Sequence, residues 1–335
     1  MAVKYSAVNH RQWRGFVGSC IGGALIASGG AQAADESRDD AWWTGPMTAA
    51  SGAVLPQGHM LVEPYLYDAV ATGRIDSNGT RESAAGEHDL GSLTYLLYGL
   101  TDRVTVGIIP RFGINQPDGQ SAGSGIGDTT LQAGFGLTRY SAASGMPDIS
   151  IVLDETLPTG RFDRLSRPSE GLGSGAYTSG LSVYTQEYFW APTGRIVRTR
   201  LDLTYSLSSS PSLRDQSVYG TPIGFQGEAH PGASFTADAA AEYSVTRHWV
   251  AALDVIYQHG ANTRVAGGRA VPGDGTVAIS GLSSDSGSSY LVGFAPAIEY
   301  NWNGSVGILM GVRVFEIGRN IATTITPVIA LNVAL

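Results

Sequence analysis

Arg198, Arg200 and Asp202 stand at alternate positions of the stretch 196–207, while Val197, Leu201, Leu203, Tyr205 and Leu207 hold the opposite parity. In an extended chain successive side chains point to opposite faces, so this stretch has one charged face and one apolar face. The pattern recurs. Asp154 opposes Ile149, Ile151 and Leu153, and Asp238 and Glu242 oppose Phe235, Ala237, Ala239, Ala241 and Tyr243. Asp254 opposes Trp249, Leu253, Val255 and Tyr257, Glu299 opposes Phe294, Ile298 and Tyr300, and Arg313 opposes Val306, Ile308 and Met310. Arg103 and Arg111 flank Thr105, Gly107 and Ile109 on the face away from Val104, Val106, Ile108 and Phe112. Charges of both signs on one face can do two things. They can line a water-filled path and set its selectivity, or pair across strands, Arg198 and Arg200 with carboxylates of 234–245, and close a narrow lumen. The near balance of signs argues against strong anion or cation selectivity.

Other chemistry is weakly supported. The histidines beyond the N-terminal leader are His59, His88, His230, His248 and His259. None stands one or two residues from a serine on a cleanly alternating stretch, as an embedded Ser–His pair would require. His259, at a strand end, is the best placed of them for a barrel hydrolase. No His-x-x-x-His, cysteine pair or calcium-loop spacing occurs, so neither a metal nor any other cofactor is expected. The glycine-rich run 123–127 precedes a strand rather than a helix, which argues against a phosphate cradle.

Around these residues, the chain from His59 onward repeats one unit, an alternating stretch of about ten residues followed by a turn. The stretches 60–68, 91–98, 103–113, 127–139, 149–157, 176–189, 196–207, 234–245, 249–258, 290–300, 306–314 and 324–335 give about twelve strands. Connections alternate in length. The short ones are 99–102, 141–148, 191–195, 246–248 and 301–305; the long, Gly/Ser/Asp-rich ones are 69–90, 114–126, 158–175, 211–232 and 260–287, with a shorter one at 317–321. Outer-membrane barrels segregate short periplasmic turns from long outer loops in this way, whereas a soluble sandwich has no reason to. Tyr98, Tyr140, Tyr188 to Trp190, Tyr243 with Trp249, and Tyr300 with Trp302 flank the short turns, as an interfacial aromatic girdle would. The expected fold is an all-β, transmembrane, antiparallel up-and-down barrel of about twelve strands. Inward placement of the charges is then forced, since an arginine facing lipid at the midplane costs about 2–4 kcal/mol. Pro110, Pro296 and Pro327 fall inside these strands, where each removes a ladder donor.

The N-terminus fits export. Lys4, Arg11 and Arg14 precede an apolar run at 15–27, and Ala31-Gln32-Ala33 offers a cleavage site. Residues 1–33 are thus expected to be a signal peptide, 34–58 a periplasmic segment and 59–335 the barrel. The leader carries the only cysteine, Cys20, and the only lysine, Lys4, so thiol chemistry and a lysine Schiff base are excluded from the mature chain. With 29 acidic against 21 basic residues and no basic stripe, nucleic acid is not an expected partner.

Gly45-Pro46, Leu55-Pro56-Gln57-Gly58, the run Tyr98 to Arg103 (YGLTDR), the run Gly125 to Thr129 (GIGDT) and Leu157-Pro158-Thr159-Gly160 occur in this order. Together they resemble the family of outer-membrane transporters named for the MetA pathway of phenol degradation, over most of the chain from Gly45 on. The resemblance implies an outer-membrane protein that passes aromatic or other small organic compounds, and it fixes no binding residues. The function expected is passive passage of small, aromatic or apolar organic solutes, with Arg103, Arg111, Asp154, Arg198, Arg200, Asp202, Asp238, Glu242, Asp254, Glu299 and Arg313 as lumen candidates. A non-conducting structural or adhesive barrel with a salt-bridged lumen is the alternative. Expected partners are outer-membrane lipid and lipopolysaccharide, small solutes, and the barrel-assembly machinery during biogenesis. Loop 158–175, with Arg161, Arg164 and Arg167, is open to two roles: an inward-folded constriction, or a surface loop that meets lipopolysaccharide phosphates.

Overall fold

The computed structural model describes residues 37–83, 86–116, 123–272 and 277–335. The leader 1–33 and its cleavage site lie outside the described residues. Twelve antiparallel strands close into a barrel. In chain order the wall comprises Met60–Ile75, His88–Thr101, a strand in two pieces (Val104–Ile109 and Arg111–Gln116), and a second in two pieces (Gly123–Ile126 and Thr129–Thr138). Asp148–Leu157, Thr178–Trp190, Ile196–Ser208, Ser234–Ser244, Trp249–Gly260, Ser289–Asn303, Val306–Arg319 and Ile321–Ala334 complete it. Closure comes from Met60–Ile75, which pairs with His88–Thr101 on one side and Ile321–Ala334 on the other. No strand edge of the ring is left to face lipid, as the membrane demands.

The alternation holds in three dimensions. Leu131, Phe135, Leu153, Leu181, Leu201, Leu203, Leu253, Val255, Phe294, Met310 and Ile329 are all exposed on the outer face. Residues of opposite parity on the same strands, such as Arg198, Asp202, Asp254 and Glu299, are buried inside. An apolar exterior and a polar interior are the reverse of a soluble domain, and they fit a lipid solvent. The aromatic girdle is only partly a lipid feature. Trp249 and Trp302 are exposed, with Tyr300 between them, its ring tilted against Trp249 at 4.7 Å and edge-on to Trp302 at 5.5 Å. Tyr188 instead lines the interior, edge-on to Tyr140 at 4.9 Å.

Each of the three prolines sits where one side of the ladder is interrupted. Pro110 separates Val104–Ile109, which pairs with Thr129–Thr138, from Arg111–Gln116, which pairs with Gly123–Ile126. Its carbonyl still accepts from Thr94 N at 3.2 Å on the intact side. Beside Pro296 the pairing to Val306–Arg319 skips from Phe294↔Val314 to Ala297↔Gly311. Beside Pro327 the pairing to Met60–Ile75 skips from Tyr67↔Val328 to Val70↔Ile325. The missing donor is tolerated because the second neighbour keeps its register.

The long outer segments are more ordered than their composition suggests. Ser212–Arg214, Phe225–His230, Arg264–Pro272 and Val277–Asp285 form a separate four-stranded sheet from the two connections 211–232 and 260–287. Leu213, Phe225, Ala229 and Val265 make its core, joined by Phe162 and Tyr219. Burial and the nearby Asp128 carboxylate hold the Tyr219 phenol above its ordinary pKa. Loop 158–175 folds over the inner side of the wall: Leu172 covers the inward glycines Gly113 and Gly125. Asp128 pins it by accepting from Gly160 N (3.0 Å), Ser174 N (2.7 Å) and Ser174 Oγ (2.7 Å). Of its arginines, Arg161 and Arg167 both pair with Glu170.

Candidate functional site

Two strands supply the central ion pair. Arg198 and Glu242 are direct partners across Ile196–Ser208 and Ser234–Ser244. Arg198 donates from Nε (2.6 Å) and Nη2 (2.5 Å) to the two Glu242 oxygens, a bidentate fork. Arg200 Nε lies 3.5 Å from the same carboxylate, so one glutamate holds two arginines. All three are nearly or wholly buried. Removing either partner would strand a charge in a low-dielectric interior.

The remaining luminal carboxylates are engaged by a segment of the chain itself. Residues 41–57, within the expected N-terminal segment 34–58, run across the inside of the barrel. Glu299 Oε2 accepts from Thr44 N (2.7 Å) and Gly45 N (3.2 Å). Asp254 accepts from Met47 N (3.0 Å), Thr48 N (3.2 Å) and Ala49 N (3.0 Å). Asp202 Oδ2 accepts from Ala50 N (2.6 Å), and Leu55 N donates to Thr105 Oγ1 at 2.8 Å. In return Arg200 Nη1 donates to Ala49 O at 2.8 Å, and Asn301 Nδ2 to Trp42 O at 3.0 Å. Arg198 also stacks over Trp43 at 4.6 Å.

This strap has no strand ladder to satisfy its backbone, so inward carboxylates and amides do so instead. Its fit depends on small inward residues. A Cβ at Gly311 would lie 2.5 Å from Met47 Cε, and one at Gly136 would lie 3.0 Å from Val54 Cγ2. Met47 packs with Ile256, Ala295, Leu309, Val328 and Ala330 as a small apolar core within the lumen.

Beside the strap an internal cavity of about 760 Å³ remains. Of the sequence candidates, Asp154, Arg198, Arg200, Asp202, Asp238 and Arg313 line it. Asp154 is satisfied by Gln132 Nε2 at 3.0 Å, and Arg313 lies over the Phe315 ring at 5.2 Å. Three candidates face this interior without lining the cavity: Glu242 lies beneath the two arginines, and Asp254 and Glu299 behind the strap. Arg103 borders a second cavity of about 510 Å³ toward the short turns, with Arg38, Arg139, Tyr140 and Tyr188. Arg111 lines neither cavity; it follows the Pro110 break and is exposed beside Gly127.

Sequence reasoning missed Glu63, Tyr65, Tyr95 and Tyr184, which also line the main cavity. Glu63, a lone charge opposite Val62 and Leu66, was the available signal. It missed the strap as well, although 41–58 is a charge-free stretch of small and apolar residues set before an otherwise punctuated chain. His259 is exposed, paired in register with Phe235 and Tyr290 on the outer face, with no serine beside it in the ladder. Ser210 Oγ does meet His230 Nδ1 at 2.7 Å, but Glu228 stands 4.0 Å from His230 Nε2 on an open surface. Among the described residues no group of three or more His, Cys, Asp or Glu converges as a metal site.

A closed wall with lipid-matched exterior and a charged, partly filled lumen defines an outer-membrane β-barrel. Residues 56–312 match the family described as "Putative MetA-pathway of phenol degradation", and the chain belongs to that family. No curated protein matches the sequence. Among solved structures, the COG4313 outer membrane channel from Pseudomonas putida F1 is similar with a TM-score of 0.64 at 16% identity, covering 84% of this chain and 97% of that one. The β domain of the Bordetella autotransporter BrkA follows at TM-score 0.43 and 9% identity (83% of this chain, 100% of that one). The Pseudomonas putida toluene transporter TodX gives 0.33 and 12% (88% and 94%). The structural neighbours are barrels of channels and transporters rather than enzymes.

Proposed function

We propose that this barrel lets small organic solutes, aromatic or otherwise largely apolar, cross the outer membrane passively through its lumen. The observation that carries the reading is the 760 Å³ cavity inside the wall, where Tyr65, Tyr95 and Tyr184 stand beside polar groups. That volume lies within the roughly 300–1,000 Å³ typical of small-molecule sites. Mixed aromatic and polar linings hold an organic body while keeping water from being fully excluded. Family membership supports the same reading, as does the channel character of the Pseudomonas putida neighbour's fold. Lipid and lipopolysaccharide surround the barrel, and the barrel-assembly machinery inserts it.

One observation favours the second reading, a closed structural barrel: the strap and the Arg198–Glu242–Arg200 cluster occupy the lumen together. Uptake separates the two. Cells whose outer membrane carries the protein should take up a labelled neutral aromatic solute faster than cells lacking it. Equal rates, together with no conductance in planar bilayers even when residues 41–57 are deleted, would establish the closed barrel instead.

A further inference from the structure

Two luminal carboxylates stand apart from the others. Asp202 and Asp238 face each other as direct cross-strand partners, so their Cβ atoms are about 4.5–5.5 Å apart. Like charges placed opposite one another on a sheet repel, and here they do so away from bulk water. Both residues are only 6% exposed, and Oδ1 of each lacks a hydrogen-bond partner. Arg200 offsets part of their charge from a distance, but no wall side chain hydrogen-bonds either free oxygen. Arg198 and Arg200 are committed to Glu242, and Arg200 also to the strap carbonyl of Ala49. The Thr48 hydroxyl lies against Asp238 without closing a hydrogen bond to it.

From this arrangement we infer a binding site for an organic ammonium ion, a protonated amine on an aromatic or apolar body, between Asp202 and Asp238. The inference rests on the reading of the lumen as a solute path and names the chemistry it accepts. Three unpartnered oxygens, Asp202 Oδ1, Asp238 Oδ1 and Thr48 Oγ1, match the three N–H donors of an ammonium group. The flanking register supplies the body's surroundings. Tyr184 is the partner of Asp202 on one side and Ile256 the partner of Asp238 on the other, giving a row of ring, acid, acid and aliphatic side chain across four strands. Aromatic faces beside carboxylates stabilise organic cations through the ring quadrupole. A bare metal ion is the poorer occupant, since no third His, Cys, Asp or Glu converges among the described residues.

The test is titration calorimetry on the mature chain in detergent micelles, with benzylammonium chloride against benzyl alcohol, its neutral analogue. The ammonium should bind about tenfold more tightly or better, as expected for hydrogen bonds to charged groups. Asp238→Asn, which removes a carboxylate that anchors no strap N–H, should shrink that preference to near parity, and Asp238→Glu should restore it. Equal binding of the two probes would overturn the inference. So would a preference that survives in both Asp238→Asn and Asp202→Asn. Uptake of neutral aromatic solutes without ammonium preference would reject this site while leaving the proposed function standing. Ammonium binding without uptake would keep the site and reject the passage.

Discussion

Two pairs of acids in the same lumen have opposite fates. Asp254 and Glu299 bind the strap: five of its N–H groups converge on them, three on the aspartate and two on Oε2 of the glutamate, whose Oε1 has no hydrogen-bond partner. Asp202 and Asp238 lie one to three strands away, are also buried, and both line the cavity with an oxygen that has no hydrogen-bond partner. The first pair holds the chain's own backbone; in the second, Asp202 spends one oxygen on Ala50 N, Asp238 holds no strap N–H, and the Oδ1 of each is left without a partner from the chain. Burial of a charge inside a barrel is therefore not one signal but two, separated by whether its lone pairs are used.

The largest expected effect comes from removing what Asp254 and Glu299 hold. Deleting residues 41–57 empties the strap's path, so single-channel conductance in planar bilayers should rise several-fold over the intact chain. Next is the ion-pair cluster. Glu242→Gln leaves Arg198 and Arg200 buried without their shared counter-charge, a loss of about 3–5 kcal/mol for a buried pair. Its measure is a lower midpoint for loss of heat-modifiable migration on gels. A more local effect is expected for Asp254→Ala. Three N–H donors lose their acceptor, each worth about 1–3 kcal/mol if left unsatisfied. Faster hydrogen exchange confined to residues 47–49, with the wall strands unchanged, would register it.

The smallest lies outside the membrane, at the outer turn after Met60–Ile75. Asp76 accepts from Asn78 N and Thr80 N at 2.8 Å each, and these bonds lower its pKa below the ordinary carboxylate value. A depressed folded-state pKa means the turn's contribution is present above the unfolded value and is lost as pH falls through the folded one. Protection of the amides at 78–80, taken relative to their intrinsic exchange rates, should fall only on that acid limb and be independent of pH in Asp76→Asn.

Much of the wall was legible because lipid and lumen impose opposite chemistries on alternate residues. Leu201 and Asp202 differ by one position and by the whole thickness of the strand. The Arg198–Glu242 pair followed from the same parity. The strap was not legible, because its bonds are made by backbone N–H groups, which every sequence has, and its selection of small residues reads as a plain linker. The outer sheet was hidden for a related reason. Gly227, Gly267 and Gly268 make its strands look like loop, whereas its stability rests on Leu213, Phe225, Ala229 and Val265, far apart in sequence. The free oxygens of Asp202 and Asp238 depend on where the strap ends its hydrogen bonding, which no local pattern encodes.

The most direct test of the lumen as a solute path is uptake of a labelled neutral aromatic compound by cells lacking other organic-solute channels, with and without this barrel in the outer membrane. The account predicts faster uptake with the protein and faster still with the strap deleted. Rates unchanged by either would contradict it.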